Sequence, residues 1–539
     1  MDRYKWKTSE TLRSLLCELV SWDSQTLTDG ERTFSAKLKM KLEQLSYFQE
    51  HPEQLALHDA GLGRSTLTAL YQHPDAVETV VLISHFDTVQ TEEYGVLEPL
   101  AYHPEELTKK LLEYKQELPL AARVDLESGN YLFGRGTMDM KMGLALHMQL
   151  IEKASVEQWP INLLLTTVPD EEVNSAGMRA AVKALGRLRD EYGLSYKLFL
   201  NSEPSFSQGP ADTNEYIYSG TIGKIMPAAL FYGKETHVGE PLKGMTANYI
   251  ASFLTQRMEW NEKFRETDLG ESTPLPVSLQ QKDLKFQYST QTPYRAAALY
   301  NVFLFKRTAA EVMDLFEEVA RDAMEACNES YQAICEREQM KGIGKVKVLR
   351  YEQLLAHATG KLGAAEVERL KAQVLAHEEW DDREKSIRIV DDLMIQCQEL
   401  APATVLLYAP PYYPAVNSSH DPFIQEAIHL IQETAKPFGI SLEQIHYFNG
   451  ICDLSYVNYD DMANGWTSFE RNTPVWGDSY NIPFEEMGEL RAPVLNVGPF
   501  GKDAHQKTER LHVESAFKEM PVLLETLIQK LFCKKVDVA

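Results

Sequence analysis

Cysteine is scarce in this chain and scattered. Cys17, Cys327, Cys335, Cys397, Cys452 and Cys533 are the six in 539 residues, and no two form a CxxC pair. That argues against a disulfide scaffold or a cysteine-built zinc site, and reduced thiols of a cytosol fit better. Long apolar runs are missing too: no window approaches the ~18 residues that a membrane helix requires. The amino terminus, "MDRYKWKTSETLRSLLCELV", lacks the apolar run and cleavage site of a signal peptide and reads as an amphipathic helix capped near Thr8 or Ser9. A cytoplasmic protein is expected. Positive charge is in deficit, 54 Lys and Arg against 79 Asp and Glu, and the net charge of -25 argues against nucleic-acid and anionic-membrane partners. No internal repeat, low-complexity tract, GxxxxGK[ST] or GxGxxG is present. A phosphate-binding reading of the glycine-flanked "GRGTMDMKMG" also meets the acidic Asp139, which repels phosphate unless a metal lies between.

A chain of this length holds two or more domains. From about 10 to 205, apolar strands alternate with amphipathic helices: "TVVLISHFDTV" (79–89), "MGLALHMQLIEKA" (142–154), "INLLLTTVPDEE" (161–172), "AGMRAAVKALGRLRDEYG" (176–193) and "YKLFLNSEPS" (196–205). This pattern predicts a three-layer α/β domain with a mostly parallel sheet. The texture changes between about 215 and 415. There "GKIMPAALFYG" and "ALYNVFLFKR" read as antiparallel strands, 309–400 as mainly charged helix, and "ATVLLYAPPYYP" as a strand. The α/β style then resumes. The order predicts an inserted α+β domain over 215–415, with an enlarged helical part, between catalytic segments 1–214 and 416–539.

Acidic residues and histidines recur at the ends of the apolar strands. His85 and Asp87 close one, Asp170, Glu171 and Glu172 follow another, Glu203 a third, Asp139 lies in a glycine-bounded loop, and His505 follows "APVLNV". Singly, each has an ordinary reading as a surface histidine, a helix-start acid favoured by the helix dipole, or a tight turn. Jointly, histidines and carboxylates without cysteine are the ligand chemistry of a hydrolytic zinc site, with one or two metals.

The motifs "SHFDTV", "GRGTMDMKMG", "PDEEVNSAGM", "NSEPS", "THVGEPLKGMTAN" and "DAHQKTE" occur in that order. With them the chain resembles the co-catalytic zinc amidohydrolases and peptidases that include acetylornithine deacetylase, succinyl-diaminopimelate desuccinylase, aminoacylase and tripeptidase T. The stretch "LTDGERTFSAKLKMKLEQLSYFQEHPEQL" and the long middle domain resemble its arginine-utilisation branch. The resemblance implies a metal-dependent hydrolase that cleaves an amide bond of an N-acyl amino acid or small peptide, in arginine catabolism by that branch. It implies two divalent ions, zinc with manganese or cobalt as alternatives. Asp139 would bridge them, His85 and Glu203 completing one site and Glu172 and His505 the other. Glu171 would be the general base acting on an activated water, Asp87 would hold the His85 ring, and His237 in the inserted domain would stabilise the oxyanion. Asp453 in "FNGICDLSYV" also resembles a position near the site, and a capping aspartate explains it equally. The family's substrate-binding arginine has no clean counterpart in "YNVFLFKRTAAEV". A small-molecule or short-peptide substrate and a homodimer are expected; a non-catalytic metal-binding protein on the same scaffold is the alternative.

Overall fold

In the computed structural model, which describes residues 4–209, 212, 214–285, 287–461 and 464–533, the chain divides into two compact units. One comprises 1–221, 416–459 and 483–539, the other 222–415 and 460–482. Residues 215–221 therefore go with the first unit and 460–482 with the second, unlike the expected 215–415 insertion. The reason is pairing: Glu215–Tyr218 lies parallel to Leu442–Ile445 in the first unit's sheet, whereas the helix Trp466–Asn472 packs on the second unit's long helix Ala309–Arg337.

The first unit is built on an eight-stranded sheet. Its order is Leu55–Asp59, Ser65–Tyr71, Asn162–Val168, Glu78–His85, Ser195–Asn201, Val494–Asn496, Glu215–Tyr218 and Leu442–Ile445. The strands 162–168, 78–85, 195–201 and 494–496 run parallel. The first three are buried almost along their whole length, which is why they read as continuous apolar runs. The sheet is mixed overall: Ser65–Tyr71 runs antiparallel to both Leu55–Asp59 and Asn162–Val168, and Glu215–Tyr218 runs antiparallel to Val494–Asn496; the five-residue connection between the first two strands is far too short for a parallel crossover. The helix Met142–Glu157 is buried from Met142 to Ser155 and packs on the strands 78–85 and 162–168 and on the helix Ser9–Ser21. The latter begins at Thr8 with a capping box.

The second unit has a six-stranded sheet. Val277–Asp283, Arg295–Leu304, Pro227–Tyr232 and Ala403–Tyr408 are antiparallel neighbours, Gly223–Ile225 pairs antiparallel with the end of Arg295–Leu304, and Lys347–Arg350 adds a parallel edge strand. That short strand interrupts the stretch 309–400, which otherwise forms the helices Ala309–Arg337, Tyr351–Leu362, Ala364–Leu375 and Asp382–Gln396.

Candidate functional site

Three neighbouring parallel strands deliver their carboxyl ends to one edge of the first unit's sheet, the place where such sheets gather ligands. His85 is the last residue of Glu78–His85. Asp170, Glu171 and Glu172 follow Asn162–Val168, and Glu203 follows Ser195–Asn201. Asp139 reaches the same edge from the turn before the buried helix Met142–Glu157, entered through Gly136 at φ +72°. The helix start lies so close that a Cβ on Gly143 would sit 2.5 Å from the Ser202 carbonyl oxygen. Glycine is required there by space.

The expected side chains meet in two trios that share Asp139: His85, Asp139 and Glu203, and Asp139, Glu172 and His505, with the potential ligand atoms of each within 4.8 Å of one another. His85 Nε2 lies 3.2 Å from Asp139 Oδ1 and 3.5 Å from Glu203 Oε1. His505 Nε2 lies 3.1 Å from Asp139 Oδ2 and 3.0 Å from Glu172 Oε2. Each Asp139 oxygen thus faces a different trio. Glu171 Oε2 stands 4.0 Å from His85 Nε2. Asp170 and His505 take left-handed backbone, φ +67° and +62°, a conformation that Asp and His tolerate better than most residues. The His505 side chain is 48% exposed while His85 is at 1%, so the cluster opens to solvent on the His505 side.

The electrostatics show a surplus of negative charge. Burial pushes Glu171 and Glu203 well above the ordinary carboxyl range, and neighbouring Asp453 adds to both. Burial and the Asp139 charge raise Glu172. Burial works the other way on the histidines, but Glu203, Asp139, Asp87 and Glu171 hold His85 far above its usual value, and Asp139 and Glu172 lift His505 to about 11. The cluster therefore recruits cations wherever it can.

Asp87 differs in one respect from its expected part. The His85 ring is held through Nδ1 by the Asp87 backbone carbonyl at 3.1 Å, whereas the Asp87 carboxylate stands 3.6 Å away, beyond hydrogen-bond length. That carboxylate instead accepts the backbone N–H groups of Glu171 at 3.1 Å and Glu172 at 3.3 Å, and the Thr26 hydroxyl at 2.9 Å. It fixes the turn that carries both glutamates.

The site is braced by buried ion pairs that the sequence did not disclose. Arg64 Nη1 meets Asp170 Oδ1 at 2.6 Å, with Glu31 Oε1 at 3.9 Å. Arg135 Nη1 meets Glu509 Oε2 at 2.6 Å, tying the Asp139 loop to the segment after His505. Arg510, also buried, takes Asp125 at 2.8 Å and the Asp503 carboxylate. His237 belongs to the second unit, where it is exposed. Its Nδ1 accepts the Gly239 N–H at 3.0 Å, so the neutral ring carries its proton on Nε2. A further cluster in that unit, His357, Cys397 and Glu399, is already charge-balanced, because the Lys361 ammonium takes a Glu399 oxygen at 2.7 Å.

The pattern described as Peptidase family M20/M25/M40 matches residues 81–469, the span that carries most of these side chains. The chain belongs to that family. This family member is 41% identical to the protein YqjN of Bacillus subtilis (strain 168) over 98% of its own length and 97% of the relative's. It is 30% identical to Protein RocB of the same organism, over 96% and 94%. Its fold is similar to that of aminopeptidase PepT from Bacillus cereus, with a TM-score of 0.53 at 14% identity, covering 97% of this chain and 98% of that one. It is a hydrolase of the metallopeptidase and amidohydrolase kind. Among the described residues no helix is long and apolar enough to cross a membrane.

Proposed function

We propose that the chain hydrolyses an amide bond of an N-acyl amino acid or small peptide, with two divalent cations held around Asp139 and with Glu171 as general base. The observation that carries this reading is the pair of trios sharing Asp139, one carboxylate oxygen toward each, with Glu171 alongside. The donor set fits such ions: imidazole nitrogens and carboxylate oxygens without sulfur suit zinc, and manganese or cobalt as well. The buried surplus of carboxylates is the second reason they fit, since side chains alone neutralise it only by protonating. His85, Asp139 and Glu203 would hold one ion and Asp139, Glu172 and His505 the other.

When bound, such ions polarise a carbonyl and lower the pKa of water from 15.7 toward about 7. The rest is the work of the chain. Glu171 takes a proton from the attacking water and returns it to the amide nitrogen as the C–N bond breaks, leaving a carboxylic acid and an amine. The Asp87 carboxylate keeps the Glu171 and Glu172 backbone fixed during that exchange. By the family resemblance His237 would be the oxyanion donor, and the Gly239 N–H on its Nδ1 leaves the proton of the neutral ring on Nε2 for that part.

The test is Glu171→Gln, which preserves shape and removes the base. Metal content by plasma emission should match wild type, while kcat on N-acyl amino acids or dipeptides falls by roughly 10²–10⁴. Equal turnover in the two proteins would dismiss Glu171 as the base. A wild-type protein that keeps its metals yet cleaves no amide would favour a binding protein.

A further inference from the structure

The loop 503–509 carries His505 to the cluster, and its two ends are held in register. Gly501–Lys502 and Arg510–His512 pair antiparallel, with Lys502 directly opposite Arg510, and Tyr131–Phe133 lies on the other side of Arg510–His512. Two cations therefore stand side by side at the base of the loop, an arrangement that destabilises a strand pair unless an anion answers it. One oxygen answers both. Asp125 Oδ2 accepts from Lys502 Nζ at 2.9 Å and from Arg510 Nε at 2.8 Å.

Asp125 does not belong to the loop. It lies on the helix Leu120–Ser128, whose buried residues are Ala122, Asp125 and Leu126. Ala122 and Leu126 join a small apolar core with Tyr94, Ala101, Leu107, Leu111, Leu118 and Phe133, which fixes the carboxylate in place. From Arg510 the connection runs on into the loop. The buried guanidinium also takes the Asp503 carboxylate and, at 3.0 Å, the Thr508 carbonyl, and Asp503 accepts the Thr508 hydroxyl at 2.7 Å. His505 itself is half exposed and in left-handed backbone. Its position is therefore set by the base of the loop more than by packing around the ring.

We propose that Asp125 is a positioning residue for His505. The helix Leu120–Ser128 clasps both basic ends of the loop, and the clasp sets how tightly Asp139, Glu172 and His505 hold their cation. The trio of His85, Asp139 and Glu203 is not touched by it. This deepens the two-cation reading and rests on it. Groups that orient metal ligands from behind typically contribute roughly 10- to 100-fold in metal affinity.

Competition of the protein with a zinc chelator reads the two equivalents as separate steps, and His505→Ala identifies the step that belongs to its trio. In Asp125→Asn, which keeps the shape and removes the charge, that step should weaken by roughly 10- to 100-fold with the other step unchanged. Adding Lys502→Met to Asp125→Asn should recover part of the loss, because it removes one of the two opposed cations. In a His505→Ala background, Asp125→Asn should leave the remaining equivalent as it was. Arg510→Lys is an independent variant: it keeps the charge without the fork that spans Asp125 and Asp503, and it should weaken the same step. A residue that only holds the fold would weaken both steps together, and Lys502→Met would recover nothing. Either result overturns the inference, as does an Asp125→Asn or Arg510→Lys protein whose two steps match wild type. The two readings fail separately. Amide cleavage by wild type, with both steps unchanged in Asp125→Asn, removes the clasp and keeps the hydrolase. Selective loss of the second step, with no amide cleaved by wild type, keeps the clasp and removes the hydrolase. A wild-type protein that binds no second equivalent overturns both.

Discussion

Glu215 offers a prediction that depends on burial and one neighbouring carboxylate, away from the candidate ligand trios. It opens the strand Glu215–Tyr218 and is buried, and the Ser515 hydroxyl lies 3.4 Å from its Oε2. Burial first, and then the nearby Glu519 carboxylate, push its carboxyl from 4.5 up to about 7. Glu519 is itself raised to about 7, and its Oε2 has no hydrogen-bond partner among the described residues. A raised folded pKa means that folding favours the protonated acid. Stability is therefore untouched below pH 4.5, falls as pH rises toward 7, and levels off above that. The difference of 2.5 units in the Glu215 carboxyl corresponds to at most about 3 kcal/mol. Glu215→Gln removes the penalty and keeps an acceptor for Ser515. The variant should gain up to about 3 kcal/mol over wild type at pH 8 and less than about 1 kcal/mol at pH 5. Scanning calorimetry at both pH values reads this as a higher first transition at pH 8, by about 2–4 °C per kcal/mol. Equal shifts at the two pH values, or a loss at pH 8, would refute the assignment of the penalty to Glu215.

Arg64→Met should loosen the turn that carries Glu171 and Glu172, since it strands Asp170 and Glu31 without their guanidinium. Breaking such a buried pair costs about 3–5 kcal/mol, read by urea denaturation monitored in the first unit. His237→Ala should lower kcat by roughly 10²–10³ with metal content unchanged; a change confined to KM would make it a substrate contact. His505→Ala should reduce the bound metal from two equivalents toward one, whereas Asp139→Ala should lose both, and identical stoichiometries for the two variants would remove the bridging role.

The central strands were legible in the sequence because burial on both faces leaves uninterrupted apolar runs, as in "TVVLISH" and "NLLLTTV". The candidate ligands were legible because they fall at the ends of those runs. Lys347–Arg350 was not, since its four residues sit in charged text and owe their extended form to pairing with Ala403–Tyr408. Membership of 460–482 in the second unit is likewise a matter of packing and leaves no local pattern. The braces at Arg64 and Arg135 join residues over a hundred or more positions apart, to Asp170 and Glu509. One signal was available: Glu509 follows His505 by four residues in an otherwise polar loop, yet it is wholly buried. For Asp87, strand alternation placed the residue correctly beside His85 but did not reveal that its backbone oxygen, rather than its carboxylate, meets the ring.

Anomalous diffraction from crystals of the zinc-loaded protein, collected across the zinc edge, tests the central claim most directly. Two peaks should flank Asp139, one among His85, Asp139 and Glu203 and the other among Asp139, Glu172 and His505. An absence of peaks there, with zinc bound only elsewhere such as at His357, Cys397 and Glu399, would contradict the account.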